Sequence, residues 1–584
     1  MAWAASQRLG SVLTNHALRN PLRRTVFVRS TPLFNMRLHN GMFHPAASRS
    51  VHAPANHNRH GNSDNDSKKN ISSGTLIRIL AVASLFAFGP FYHLIASDEE
   101  TKTQTKNTPA TVKIKVPTSA TASSNQPKPI KGVPFVQYVL IGGGTASYSA
   151  MEAIRETQPD AQILIISEEE FVPYQRPPLS KELWFADDTS QQLTFKDWEG
   201  NQRSLFYFPK ESYRVLSLDQ ISTLESPCTK IQYLANTKVV KLNPEDQTVV
   251  LSSGDRIQYS RVLIATGGTP KSLPVFDGLS EKAKSRVMTF RGIKDFQRLE
   301  SLAKEAKTIA VIGGGFLGSE LAVALARKSA ETGAKIVQTF PEDGNMGLVF
   351  PRYLTKWTTA KLREVGVDVK ESTVITNAKE SGDNIELQFK NGTSVDADLI
   401  VLAVGLSPNQ ELAYSSGLEV DSIRSGIVVN AELEARTNVF AAGDVTSYHD
   451  IALGRRRVEH YDHAVMSGRM AGFNMTGVKK PYTHQTMFWS DLGPNISYEA
   501  AGIIDSKLPT VGVWAKKGKD APTEEETEEF GKGVVFYLSS SKKVIGVLTW
   551  NVFGKMDLAR KIIREAKSHA DIDGLARMFD IHSS

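Results

Sequence analysis

Phe135-Val136-Gln137-Tyr138-Val139-Leu140-Ile141-Gly142-Gly143-Gly144-Thr145 is an apolar run that breaks on three glycines. A continuous run of this length and β-branched content reads as a strand buried on both faces. Thr145 to about Glu156 then has helical spacing, and Ala161-Gln162-Ile163-Leu164-Ile165-Ile166 is a second buried strand, ending near Glu168. Strand, glycine turn, helix and strand make one βαβ unit. In such a unit Gly142 tightens the turn and Gly144 lets backbone approach a pyrophosphate. The helix N-terminus offers N–H donors and the positive end of its dipole. Ser147 stands where a third glycine or alanine is usual, and it is still small. Glu168 is placed to accept from ribose hydroxyls.

The pattern recurs. Thr308-Ile309-Ala310-Val311-Ile312 enters Gly313, Gly315 and Gly318, a helix follows to about Lys328, and Lys335 to Phe340 is a strand ending near Glu342. An acid there favours NAD over NADP, because a 2′-phosphate would be repelled. One glycine triplet alone is more often a plain loop. Two, each with strand, helix and acid in place, predict two nucleotides on one chain, as passing electrons between two cofactors requires. Three more apolar strands end on glycine: Val262 to Gly268, Leu399 to Gly405, and Val439 to Gly443-Asp444. The expected class is α/β, with two Rossmann-like domains and an α+β C-terminal domain. This layout resembles flavoproteins with two dinucleotide-binding domains, in which such strands cross between domains. The resemblance implies borders of 133–268 and 406–486 for a flavin (FAD) domain, 269–405 for an inserted nicotinamide (NAD) domain, and 487–584 for the C-terminal domain.

Charge and cysteine narrow the class. The net charge of +7 comes from the leader: Arg8, Arg19, Arg23, Arg24, Arg29, Arg37, Arg49 and Arg59 precede the first acid, Asp64, and the remainder is close to neutral. The excess is therefore no evidence for a nucleic-acid-binding body. An Arg-rich, acid-free N-terminus predicts a mitochondrial transit peptide over 1–60, the plainer alternative being a disordered basic tail. Ile79 to Ile95 is apolar apart from Ser84, Tyr92 and His93 and barely long enough to cross a bilayer, with Gly89-Pro90 interrupting it. Lys68, Lys69 and Arg78 before it, and Asp98, Glu99 and Glu100 after it, predict a transmembrane anchor over 76–96 with the positive side in the matrix. Residues 97–132 read as a flexible tether. The single cysteine, Cys228, excludes an internal disulfide, a cysteine zinc cluster and a redox dithiol, and with it glutathione-reductase-like chemistry.

From about Phe135 onward the chain resembles the apoptosis-inducing-factor family of mitochondrial flavoprotein NADH oxidoreductases. The segments that carry the resemblance are Tyr174 to Trp184, Gly313 to Glu320, Phe340-Pro341-Glu342-Asp343-Gly344-Asn345-Met346-Gly347, Gly454 to His460, and Met487 to Pro494. The resemblance implies FAD contacts at Gly142, Gly143, Gly144, Thr145, Ala146, Glu168, Arg176, Lys181, Val239, Arg291, Asp444, His460, Tyr461 and Trp489. It implies NAD(H) contacts at Gly314, Gly315, Phe316, Leu317, Glu342, Gly405, Glu459, Glu499 and Asn551. Trp198 takes the place of the family's redox-responsive tryptophan at a second nucleotide contact. Lys181, Glu320 and His460 are the implied catalytic residues: an ammonium near the flavin, the carboxylate that fixes it, and a flavin contact. Phe316 would cover the flavin until NADH displaces it, and no metal is expected.

The resemblance further implies slow turnover, a homodimer on reduction, a disulfide-relay import partner in the intermembrane space, and release to nucleus or cytosol in cell death. Nucleic-acid binding would follow only after release. Arg455-Arg456-Arg457 suggests such a patch, though a short basic run is usually a solvated face. Two departures stand out: Leu348 replaces a family lysine after the acid, and the acidic insertion around Thr523-Glu524-Glu525-Glu526 is short. Lys555 to Lys567 reads as an amphipathic helix that packs. Two other readings share the core: an NADH-dependent reductase of an iron–sulfur protein, and a largely non-enzymatic import or assembly scaffold.

Overall fold

The computed structural model describes residues 127–186, 193–197, 199–223, 230–493, 495–515 and 530–581. The transit segment, the anchor, most of the tether, Trp198, Cys228 and the acidic insertion lie outside them. Among the described residues no helix is long and apolar enough to cross a membrane.

The opening apolar run is β1 (Phe135–Ile141), followed by helix α1 (Thr145–Thr157) and β2 (Ile163–Ile166). β3 (Tyr213–Leu216), β4 (Ile231–Leu234), a hairpin of β5 (Val239–Asn243) and β6 (Thr248–Leu251), and the long β7 (Arg256–Ile264) complete this part of the sheet. β1 pairs in parallel with β2 on one side and β7 on the other. It is thus central, and its Val136, Val139 and Leu140 are fully buried. This is why the run is continuously apolar instead of alternating.

The chain then leaves for a second, all-parallel sheet of β8 (Val287–Thr289), β9 (Thr308–Ile312), β10 (Lys335–Thr339), β11 (Val367–Lys370) and β12 (Leu399–Leu402), in the order β8-β12-β9-β10-β11. Helix α2 (Phe316–Thr332) connects β9 to β10. Outgoing and returning strands run side by side: Gly268–Pro270 pairs with Leu406–Pro408. Back in the first sheet, β13 (Glu434–Arg436) and β14 (Val439–Ala441) join at β7, giving the order β13-β14-β7-β1-β2-β4-β3.

Helix α3 (Tyr461–Met475) lies across α1. A Cβ on Gly468 would stand 2.3 Å from the Ala146 carbonyl oxygen, and one on Gly472 would stand 2.4 Å from that of Ala150. Glycine therefore sets the spacing of this crossing. The last block is an antiparallel sheet of β15 (Met487–Asp491), β16 (Ser497–Gly502), β17 (Thr510–Trp514), β18 (Gly533–Leu538) and β19 (Val544–Trp550), in the order β15-β16-β19-β18-β17. One face shares a core with the second sheet, through Tyr498, Tyr537 and Trp550. The other is covered by α4 (Met556–Arg564), whose Met556, Ala559, Ile562 and Ile563 are buried there. The amphipathic segment expected at 555–567 is thus a packing helix.

Arg455-Arg456-Arg457 is not the solvated face expected of a basic run. Arg455 donates to the Ser447 carbonyl, Arg456 to that of Gly502, and Arg457 to Arg424 O and Glu459 Oε1. Each guanidinium makes a hydrogen bond within the fold. Pairing of Gly454–Arg456 with Thr446–Asp450 brings Arg455 to the Ser447 carbonyl, while the acceptors of Arg456 and Arg457 come from Gly502 and Arg424.

Candidate functional site

The two glycine turns are built alike. Gly142 has φ +113° and Gly313 has φ +126°, and each N–H closes onto the neighbouring strand, at Ile166 O (2.8 Å) and Thr339 O (2.9 Å). A Cβ at either position would lie 2.2 Å from a carbonyl oxygen, of Ala265 or Ala403. Gly143 and Gly314 are equally hemmed in, by Tyr233 and Phe340. Gly144 and Gly315, by contrast, would meet nothing within 4 Å, and they are the uncapped N-caps of α1 and α2. Open space over helix N–H groups that no side chain caps fits a pyrophosphate at each turn.

The acids are equally available. Glu168 is exposed, with only a 3.4 Å ion pair to exposed Lys238, and the Glu342 carboxylate has no partner among the described residues. The loop of Glu342 is pinned to its turn by a buried network that the sequence did not reveal. Asn345 donates to Ser319 Oγ and Gln338 Oε1, Gln338 donates to Gly313 O, and Met346 N–H donates to Gly314 O.

On the first turn's side, Ala146 is buried beneath Gly443. Thr145 Oγ1 shares a hydrogen bond with Tyr207 OH, which donates to Tyr461 OH. Arg176 pairs with Glu169 at 2.5 Å and donates to Tyr174 OH and Arg291 O. Arg291 in turn holds Asp444 at 3.2 Å. Burial opposes the charge of Glu169, yet Arg176 and the Tyr174 hydroxyl hold its carboxyl below the ordinary range. Val239 is buried at the start of β5.

The three blocks meet at Lys181 and Glu320. Their charged atoms are 3.5 Å apart, with both side chains about nine-tenths buried. Glu320 accepts from Ser180 Oγ and Ser490 Oγ, at 2.5 Å each. Lys181 Nζ lies 5.7 Å from the Trp489 ring centroid. Burial disfavours the ammonium, but Glu320, Glu182 and Asp491 more than offset it and hold Lys181 above its ordinary value. Strand β15 forms the seam: Trp489 faces Glu499 across the strand pair, and Phe488 lies 5.0 Å from both Phe316 and His460.

His460, the N-cap residue of α3, bonds through Nδ1 to Thr486 Oγ1 at 3.0 Å. Burial, then the nearby Arg456 charge, pushes its pKa down to about 3, so it is a neutral imidazole at working pH. Burial likewise pushes Glu499 up to about 7, and its Oε2 has no partner among the described residues.

The remaining expected nucleotide contacts are more dispersed. Leu317 is partly buried beside Phe316 in the shared core. Gly405 (φ +99°) receives the Lys271 N–H on its carbonyl and has open space where a side chain would be. Glu459 is bound by Arg457. The Asn551 carboxamide is already engaged, accepting from Ser497 N–H and donating to Asn495 O and Gly531 O. Leu348 is exposed. Ser180, Ser490, Phe488 and Tyr207 were missed. Strand alternation along Met487–Asp491, which sets Phe488 and Ser490 on one face and Trp489 on the other, was the available signal.

Residues 136–468 match the pyridine nucleotide-disulphide oxidoreductase family, and segments 471–525 and 519–565 match the C-terminal domain of mitochondrion-associated apoptosis-inducing factor. The chain is 42% identical over 508 residues to a putative mitochondrial apoptosis-inducing factor 1 of Drosophila melanogaster, covering 80% of this chain and 67% of that protein. It is 40% identical over 453 residues to a mitochondrial apoptosis-inducing factor 1 of Dictyostelium discoideum, covering 76% and 81%. The solved covalent putidaredoxin reductase–putidaredoxin complex shares the fold, with TM-score 0.60 at 23% identity over 76% of this chain and 99% of that one. With both dinucleotide turns and the C-terminal block matched in order, the chain belongs to the apoptosis-inducing-factor family of pyridine nucleotide-disulphide oxidoreductases and is an enzyme using FAD and NAD(H).

Proposed function

We propose that the chain takes a hydride from NADH at the Lys181–Glu320 junction and passes the electrons on slowly. The observation that carries this reading is the buried ion pair itself, set where both nucleotide units and strand β15 converge. FAD, when bound at the first turn, supplies the ring that accepts the hydride. Lys181 places a fixed positive charge beside the negative charge that reduction creates, in surroundings too dry to screen it. Glu320, held by two serine hydroxyls, keeps the ammonium in place. Phe316, at the N-terminus of α2 and against Phe488, covers the site until a nicotinamide displaces it. His460 serves as a neutral hydrogen-bonding neighbour.

On this reading Glu168 and Glu342 hold the two riboses. The flavin domain spans 133–268 and 406–486, the NAD domain 269–405, and the C-terminal domain 487–584. We place the protein in mitochondria, anchored by 76–96 in the inner membrane and facing the intermembrane space. It would dimerise on reduction, engage a disulfide-relay import partner and, after release, act in cell death. These assignments are supported by the family and by the leader's composition. With every arginine of Arg455-Arg456-Arg457 committed internally, any nucleic-acid contact falls to other residues.

An anaerobic NADH titration followed by absorbance tests the proposal. A long-wavelength charge-transfer band that persists in air is expected. Rapid reoxidation, or fast reduction of a ferredoxin-type acceptor, would replace the reading with an ordinary reductase.

A further inference from the structure

Behind His460 lies a group of buried polar atoms that the protein itself does not satisfy. Tyr448 OH, Asp450 Oδ2 and Arg456 Nη1 have no hydrogen-bond partner among the described residues. They belong together. Tyr448 and Arg456 are cross-strand partners in the hairpin of Thr446–Asp450 and Gly454–Arg456. Asp450 Oδ2 stands 3.6 Å from Arg456 Nη1, an ion pair without a hydrogen bond. The Thr486 hydroxyl lies beside the Tyr448 phenol and bonds to His460 Nδ1 at 3.0 Å. Tyr448, Asp450 and Thr486 are all buried.

Burying one polar atom without a partner is costly, and native folds answer such atoms with ordered water. Here a donor (Arg456 Nη1) and an acceptor (Asp450 Oδ2) occur together with the Tyr448 hydroxyl, which can serve as either. Arg456 and Asp450 oppose each other in charge, and the nearby Asp462 is paired with Arg560. A mixed, nearly neutral lining suits water better than an anion.

We propose that Tyr448, Asp450 and Arg456 enclose a buried water cluster that hands protons through Thr486 to His460 beside the flavin. The relay half of this inference rests on the reading of the flavin site given above. Oxidation of NADH by dioxygen to NAD and hydrogen peroxide consumes one proton. Two electrons and one hydrogen leave NADH as hydride, and the second hydrogen of the peroxide is drawn from solvent. Thr486 and His460 carry that second proton. Each accepts a hydrogen bond on one side as it donates on the other, so no lasting imidazolium is needed.

The test has two readouts. A high-resolution crystal structure of the FAD-loaded protein is expected to show ordered waters bonded to Tyr448 OH, Asp450 Oδ2 and Arg456 Nη1. A dry site, or one bound anion, overturns the proposal whatever the activity. In stopped flow, Thr486→Val is expected to slow reoxidation in air about a hundredfold and to abolish its solvent deuterium isotope effect. Anaerobic reduction by NADH should keep the wild-type rate, and Thr486→Ser should restore reoxidation. Tyr448→Phe, which keeps the ring packing, should act in the same direction. Wild-type reoxidation in both Thr486→Val and Tyr448→Phe overturns the relay. So does an equal change in both half-reactions with the isotope effect intact, since that marks a packing role. A parent protein that NADH does not reduce would instead defeat the reading of the flavin site.

Discussion

Lys181 and Glu320 face each other with little water between them, so each tolerates burial only because of the other. Lys181→Met is therefore expected to slow anaerobic reduction by NADH on the order of a hundredfold, by analogy with the loss of one preorganised charge-stabilising donor. A wild-type reduction rate in stopped flow would remove Lys181 from the chemistry. Glu499 makes a different prediction. Burial first, with little help from neighbours, lifts its pKa from 4.5 to about 7. Below the unfolded value both states are protonated, and the group has no effect on stability. Between that value and about 7 the unfolded chain releases the proton while the folded chain keeps it, so stability falls as pH rises. The full loss, reached above pH 7, is about 3 kcal/mol. In nucleotide-free protein, Glu499→Gln should consequently raise the denaturation midpoint at pH 8 and leave it unchanged at pH 4. An equal shift at both values would mean that the carboxylate is not the source.

Helices α1 and α3 cross with glycine between them, and α1 also presents the first glycine turn. Gly472→Val is expected to destabilise by about 1–3 kcal/mol through overpacking against Ala150, and to release flavin because the N-terminus of α1 moves with the helix. Gly278→Ala, where nothing lies within 4 Å, is the control. Equal melting temperatures and flavin content for the two variants would contradict this account of the crossing. The elements themselves were legible because their signals are local. Five-to-seven-residue apolar runs such as Phe135–Ile141 and Thr308–Ile312 end on glycines that only one backbone conformation explains. What stayed hidden was long-range. Nothing near Arg455-Arg456-Arg457 says that its acceptors are carbonyls at Ser447, Gly502 and Arg424. Nothing near Asn551 says that its amide is already engaged at Ser497, Asn495 and Gly531. Ser180 and Ser490 meet only because Glu320 lies between them in space. Residue type and spacing carry the turns, whereas the polar partners depend on which strands come to lie side by side.

At the scale of the molecule, the C-terminal block must hold strand β15 against the two nucleotide units, since Trp489, Phe488 and Ser490 reach the site from it. One polar clamp is Asp462, on the first turn of α3. It bonds to His484 at 2.7 Å and to the Met487 N–H at 3.0 Å, and pairs with Arg560 of α4 at 3.6 Å. Burial raises the cost of its charge, but His484 and Arg560 outweigh that cost and hold the carboxyl below its ordinary value. A depressed folded pKa means that this stabilisation is complete above the ordinary carboxylate range, near pH 4, and is lost as pH falls through the folded value. Asp462→Asn leaves the buried Arg560 with the exposed Asp557, at 3.0 Å, as its remaining counter-charge among the described residues. The loss of its buried partner is expected to cost up to about 3 kcal/mol. At pH 7 the variant should lose hydrogen-exchange protection in 487–491 and 556–564 while the central strand 135–141 keeps its own. The stability gap to the parent should close on acidification below pH 4. If exchange rises evenly through all three sheets, the clamp is not local and the seam is held by the apolar face of α4 alone. If only 487–491 and 556–564 open and NADH reduction slows with them, the site is assembled by docking of the C-terminal block.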